Sequence, residues 1–254
     1  MIVSIDVDVG SEKIGILNRG RNDRNVNLTL SERYIGKIEE MSLPLFINFF
    51  DNLSIPITIA IRGQLVEVNS NILGFLCKSK HDIGAHGYYH KNFKNLSYEE
   101  VENELYMIRE GMKIFSINPK SFIFPQNGVK YLNLLQKYGY VCYRGEGGNI
   151  NDGMYINKKG NLYDIHPSLF LGELKKIDKY LIKIVDIAIE NRLPLHLWFH
   201  AWNYGNTKDE IINILSNLFY PLFKYAKEKE DNNILRFETM LSATKYFNND
   251  TIYI

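Results

Sequence analysis

Only two cysteines occur in the 254 residues, which excludes a disulfide framework. Cys77 and Cys142 each lie inside an apolar segment, which predicts two buried, reduced thiols without a catalytic setting and a reducing compartment. Long hydrophobic runs are lacking too: none reaches the roughly 20 residues of a membrane helix, so no span is expected. Charge of one sign is not massed. Thirty Lys and Arg against 29 Asp and Glu leave a formal net charge of +1, and the scatter of basic residues excludes a nucleic-acid footprint or a polybasic membrane patch. The opening Met1-Ile2-Val3-Ser4-Ile5-Asp6 has neither the basic start nor the apolar stretch of an export leader, so a cytoplasmic protein is expected. Repeats of solenoid period are absent. What the chain does have is 45% hydrophobic content, enough at this length for one large core, which predicts a single domain over residues 1–254 and leaves the oligomeric state open.

Two imidazoles four positions apart, His86 and His90, end an apolar run. On a helical turn this spacing places both on one face, able to offer neutral nitrogens to one cation. Two ligands leave a gap, and the N-terminal segment offers candidates to fill it. Residues 2–7 read as a buried strand, and Asp6 and Asp8, at i and i+2, point to one face at its C-terminal end, where α/β sites form. A turn or helix cap is the alternative use of those carboxylates. Residues 11–33, polar and rich in Asn and Arg, read as a long loop, either a lid over the site or a solvated surface segment.

Beyond this, helix and strand alternate. Helical spacing covers residues 38–53, with Pro44 bending or restarting the helix, and then 68–78. Strands are expected at 57–61, 82–85, 121–124 and 141–143. Ser97-Tyr98-Glu99-Glu100 is a capping box opening a helix through about residue 114, and another helix covers 131–138. A Gly- and Asn-rich loop spans 145–160, then a helix 173–191. Leu195-His196-Leu197-Trp198-Phe199-His200 is an apolar strand whose alternation sets His196 and His200 on one face, with His200 at the mouth. Helices at 211–227 and 240–247 close the chain around a short strand near Leu235.

In this order, an acidic strand end, His-x-x-x-His, Phe-Ile-Phe-Pro at 122–125 and a late strand ending in Leu-Trp-Phe-His, the chain resembles the NodB-type polysaccharide deacetylase family over nearly its whole length. That resemblance implies an α/β fold, a distorted (β/α) barrel of about seven strands. It also implies roles: Asp6 as general base, Asp8, His86 and His90 as ligands of a divalent metal, Zn2+ foremost, His200 as the late catalytic histidine, and the backbone of Gln126 as oxyanion donor. Two departures stand out. Asp6-Val7-Asp8 has one residue between its carboxylates and resembles the branch with peptidoglycan deacetylases and allantoinase-like amidohydrolases. The motif arginine is missing, because Ile123-Phe124-Pro125-Gln126-Asn127 stands in its place. Arg62 and Arg144, each near a predicted strand end, are the candidate replacements; the alternative for each is a surface arginine with its stem packed on the barrel.

Amide hydrolysis needs an activated water, an electrophile for the carbonyl and an acid for the departing amine, and these residues supply a candidate for each. His196 either orients His200 or simply hydrogen-bonds in the barrel; His166 and His81 read as surface or cap residues. Trp198, Trp202 and Tyr88 are candidates for stacking on a sugar, with core packing as the alternative. The expected function is therefore metal-dependent removal of N-acetyl from an amino sugar of a soluble or carrier-linked glycan precursor. The alternatives are an allantoinase-like amidohydrolase acting on a small amide, and a degenerate glycan-binding protein without activity.

Overall fold

The computed structural model describes residues 1–8, 41–68, 74, 76, 77, 79–205 and 207–247. The expected loop and lid at 11–33 lie outside the described residues, as does most of the helix expected at 68–78.

Among the described residues nine strands form one sheet: β1 (Ile2–Val7), β2 (Thr58–Ile61), β3 (Asp82–Ala85), β4 (Ser121–Ile123), β5 (Cys142–Arg144), β6 (Ile156–Lys159), β7 (Leu162–Ile165), β8 (Leu169–Phe170) and β9 (His196–His200). Their order is β6-β7-β5-β4-β3-β2-β1-β9-β8. Every pairing is parallel except the β6–β7 hairpin. Nine replace the expected seven because β6, inside the expected loop 145–160, and the short β7 and β8 are added while the strand expected near Leu235 does not form. β1 is buried at all six positions, as a central parallel strand covered on both faces must be.

The sheet curls. In a flat sheet, four strand spacings of about 4.8 Å would separate β1 from β5 by roughly 19 Å. Arg144 at the end of β5 nevertheless donates to Asp6 at the end of β1 at 2.8 Å. The architecture is thus an α/β half-barrel, the distorted (β/α) barrel expected, with helices outside.

Those helices are α1 (Leu43–Asn52), α2 (Gly63–Val68), α3 (Tyr98–Lys113), α4 (Leu132–Lys137), α5 (Lys179–Glu190), α6 (Lys208–Ile214), α7 (Tyr220–Asp231) and α8 (Met240–Ala243). Pro44 falls in the first turn of α1, where a missing N–H costs nothing, so it starts the helix rather than bending it. The capping box of α3 is present in both directions: Ser97 Oγ accepts from Glu100 N, and the Glu100 carboxylate accepts from Ser97 N. Between α6 and α7 the chain makes one π-helical turn, Leu215–Phe219. Pro221 cannot bond to the carbonyl four residues back, and that carbonyl, of Asn217, instead accepts the Ile177 N–H at 2.9 Å. Near residue 235 no strand forms; a single bridge joins Ile2 to Glu238.

Candidate active site

All the chemistry-bearing residues gather where the parallel strands end. Asp6 and Asp8 close β1, Arg62 follows β2, His86 follows β3, Arg144 ends β5 and His200 ends β9. Register sets Asp6 beside His200, because β1 and β9 pair with Asp6 opposite His200.

The histidine pair converges for a reason other than the expected helical turn. Residues 86–90 form a loop with Gly87 at φ 65° and His90 at φ 59°, so the two rings meet with centroids 4.7 Å apart by way of left-handed backbone. Neighbours on three sides fix that loop. Glu104, buried on α3, accepts the N–H groups of Tyr88 at 2.7 Å and Tyr89 at 2.9 Å. Gly63 and Gln64 donate to the carbonyls of Gly87 and Tyr88. The Gln126 side chain donates to the His90 carbonyl at 3.2 Å. Gln126 and Asn127 both hold left-handed φ, of 52° and 56°, which costs roughly 1–2 kcal/mol at Gln126 and less at Asn127, whose side chain tolerates that region.

Asp8, His86 and His90 offer ligand atoms that all lie within 4.8 Å of one another, and all three side chains are buried. His86 Nδ1 donates to the Ile123 carbonyl at 2.8 Å, which leaves the lone pair of Nε2 without a protein partner. Burial lowers the pKa of both histidines, that of His90 to about 3, so both imidazoles are neutral near pH 7. Burial alone would raise the Asp8 carboxyl, but His200, His90, His86 and the Trp202 N–H outweigh it and hold the pKa at about 2. One carboxylate and two neutral imidazoles, His86 with an orphaned buried Nε2, make three donors that fit a divalent cation.

Asp6 is held differently. Nη1 of Arg144 donates to Oδ1 at 2.8 Å, Nη2 donates to Oδ2, and Nη1 also donates to Ser4 Oγ at 3.0 Å. Both partners are buried, and the guanidinium lies 4.2 Å from the Trp198 ring. Desolvation pushes the Asp6 pKa up, but Arg144, His86 and His200 together hold it below the ordinary carboxylate range. Neither candidate arginine is therefore a surface residue. Arg144 grips Asp6 in a two-pronged pair, while Arg62, also fully buried, donates to Gln64 Oε1.

His200 is 19% exposed, with Nε2 3.5 Å from Asp8 Oδ2 and 4.0 Å from Asp6 Oδ2. Asn203 Oδ1 accepts the His200 backbone N–H at 2.8 Å, which fixes the amide orientation, and so the contact at 3.1 Å must be His200 Nδ1–H donating. Nε2 is left facing the carboxylates. His196 makes no contact with His200; its Nε2 lies 2.9 Å from Ser4 Oγ, the hydroxyl that accepts from Arg144. His166 is buried rather than surface-exposed, stacked on Tyr155 at 4.2 Å. His81 caps a turn, accepting from Ile57 N at 3.4 Å.

Tyr88 is 3% exposed and offers no face to a ligand. Trp202 is part-exposed, with its indole N–H on Asp8 Oδ1 at 2.7 Å and its ring against His200. Sequence reasoning missed Ser4, Glu104 and Asn203. Ser4 had a signal, since it shares a strand face with Asp6 at i−2. The other two had none, because their roles depend on which elements pack together.

The α/β half-barrel gathers carboxylates, imidazoles and a gripped aspartate at its strand ends, and three of those side chains are spaced to hold a cation. Residues 19–143 match the model of the polysaccharide deacetylase family, so the chain carries the family resemblance read from its motifs. The match takes in His86, His90 and the Phe-Pro turn, while Asp6, Asp8, Arg144 and His200 lie outside it. No curated protein matches the sequence. Among solved structures, a Mycobacterium smegmatis protein assigned as a polysaccharide deacetylase superposes with a TM-score of 0.63 at 12% identity, covering 100% of this chain and 93% of that one. Puue allantoinase gives 0.68 at 12% identity, covering 96% and 88%. The Bc1960 peptidoglycan N-acetylglucosamine deacetylase gives 0.53 at 14% identity, covering 95% and 86%.

Proposed function

We propose that this protein is a metal-dependent hydrolase that removes an N-acetyl group from an amino sugar. The observation that carries the reading is the convergence of Asp8, His86 and His90 within 4.8 Å, with Asp6 and His200 flanking them. A divalent ion, Zn2+ foremost, held by those three residues would polarise the acyl oxygen and acidify a water. Asp6 takes the proton of the attacking water; Arg144 fixes its carboxylate and keeps it ionised. The backbone N–H of Gln126 donates to the oxygen on which negative charge develops. His200 delivers a proton from Nε2 to the departing nitrogen, because an amide anion is too poor a leaving group. Asn203 accepts the Nδ1–H and so aims Nε2 at the site; the proton delivered is the second one of the imidazolium, which leaves the Nδ1–H tautomer behind. A reducing compartment belongs to the same proposal, supported by two free thiols.

The test is metal analysis with an acetate-release screen on N-acetylated oligosaccharides, on wild type and two variants. Asp6→Asn keeps its metal and loses about 10² to 10⁴ in kcat. Asp8→Asn loses metal affinity, and excess Zn2+ partly restores it. Allantoin ring opening without acetate release would move the reading to a small-amide amidohydrolase, to which the one-residue spacing of Asp6 and Asp8 also answers. Retention of both metal and activity by both variants would overturn it.

A further inference from the structure

We infer that Trp202 is a positioning residue that sets the Asp8 carboxylate and the His200 ring together, rather than a stacking platform for sugar. The inference rests on the metal-hydrolase reading above. Its ground is the turn that follows β9. Ala201 N donates to the Asp6 carbonyl at 3.0 Å, and Asn203 N donates back to the His200 carbonyl at 3.2 Å. The first bond pins the turn to the end of β1 and the second closes it, which puts Trp202 within reach of Asp8.

The indole then makes two contacts at once. Its Nε1–H donates to Asp8 Oδ1 at 2.7 Å, and its ring stacks on the His200 imidazole with centroids 4.9 Å apart and planes 30° apart. An indole N–H only donates, so Oδ1 is committed to it, while Oδ2 lies 3.3 Å from His90 Nε2 and 3.5 Å from His200 Nε2. Trp202 therefore presents one chosen oxygen of Asp8 to the cation. With one face on His200, that face of the indole is closed to a sugar ring.

The experiment measures Zn2+ and Co2+ dissociation constants of metal-stripped protein by competition with a chromophoric chelator, and records the Co2+ absorption bands. Trp202→Phe keeps a ring beside His200 but deletes the donor. We expect its dissociation constants to rise by about 10- to 100-fold, as for other partners that orient metal ligands, with altered Co2+ bands and an unchanged far-UV circular dichroism spectrum. Replacing Trp202 with benzothienylalanine, which keeps the bicyclic shape and removes only the N–H, carries the same expectation and covers failure of the Phe variant to fold. Metal affinity within twofold of wild type together with a raised KM for an N-acetylated oligosaccharide would make Trp202 a sugar platform and overturn the inference alone. Wild type that binds neither ion would overturn it along with the metal site.

Discussion

Replacing Arg144 with Met removes both hydrogen bonds to Asp6 and the one to Ser4, yet keeps an apolar stem on the Trp198 ring. Asp6 is 1% exposed, and among the described residues Arg144 is its cationic hydrogen-bond partner, with His200 Nε2 at 4.0 Å. Breaking a buried pair by removing one partner costs about 3–5 kcal/mol, because a charge is left buried without compensation. At about 2–4 °C per kcal/mol for a chain of this size, the melting temperature should fall by roughly 6–20 °C. The assay is urea unfolding with EDTA at pH 7.5, followed by tryptophan fluorescence and circular dichroism, so that metal linkage does not enter. The double variant Asp6→Asn, Arg144→Met should recover part of the loss, since neutral groups then face each other, giving a coupling energy of about 2 kcal/mol or more. The same cycle with Arg62→Met should give a coupling near zero, because Arg62 does not bond to Asp6. An R144M protein within about 1 kcal/mol of wild type, or equal coupling through Arg62, would refute the claim that Arg144 holds the Asp6 carboxylate.

Two further outcomes are expected. Burial first, and then Arg144, push the His196 pKa down to about 3, so the folded protein leaves this ring neutral while the unfolded chain protonates it near pH 6.5. Stability is then lost as pH falls from about 6.5, by about 2 kcal/mol between pH 7 and pH 5 for this ring. His196→Gln should flatten the acid side of the stability profile by that amount, and an unchanged slope would contradict it. Cys142 is buried with its thiol pushed up by desolvation, whereas Cys77 is exposed, contrary to the expectation of two buried thiols. Ellman's reagent should therefore titrate one thiol in the native protein and the second only after unfolding.

The sequence by itself determined most of the elements and the residue types at the strand ends, though not β6, β7 and β8. Periodicity marked β1 and β9, and the Ser97 box marked the start of α3, because these depend on residues a few positions apart. It marked Asp6, Asp8 and His200 as strand-end residues for the same reason. Only the tertiary structure decided which of these meet. Asp6 touches Arg144 across 138 positions, and Trp202 reaches Asp8 across 194, because β9 joins the sheet beside β1 and the sheet curls until β5 faces it. No local pattern encodes that. The arginine that grips Asp6 could not be identified as Arg144 rather than Arg62 from the chain alone, since a strand end four strands away becomes a neighbour only when the sheet bends. Glu104 and Asn203 were invisible likewise: a buried Glu on a helix and an Asn in a turn become partners of the site through the packing of α3 on the 86–90 loop and the turn after β9, and packing is a property of the whole fold.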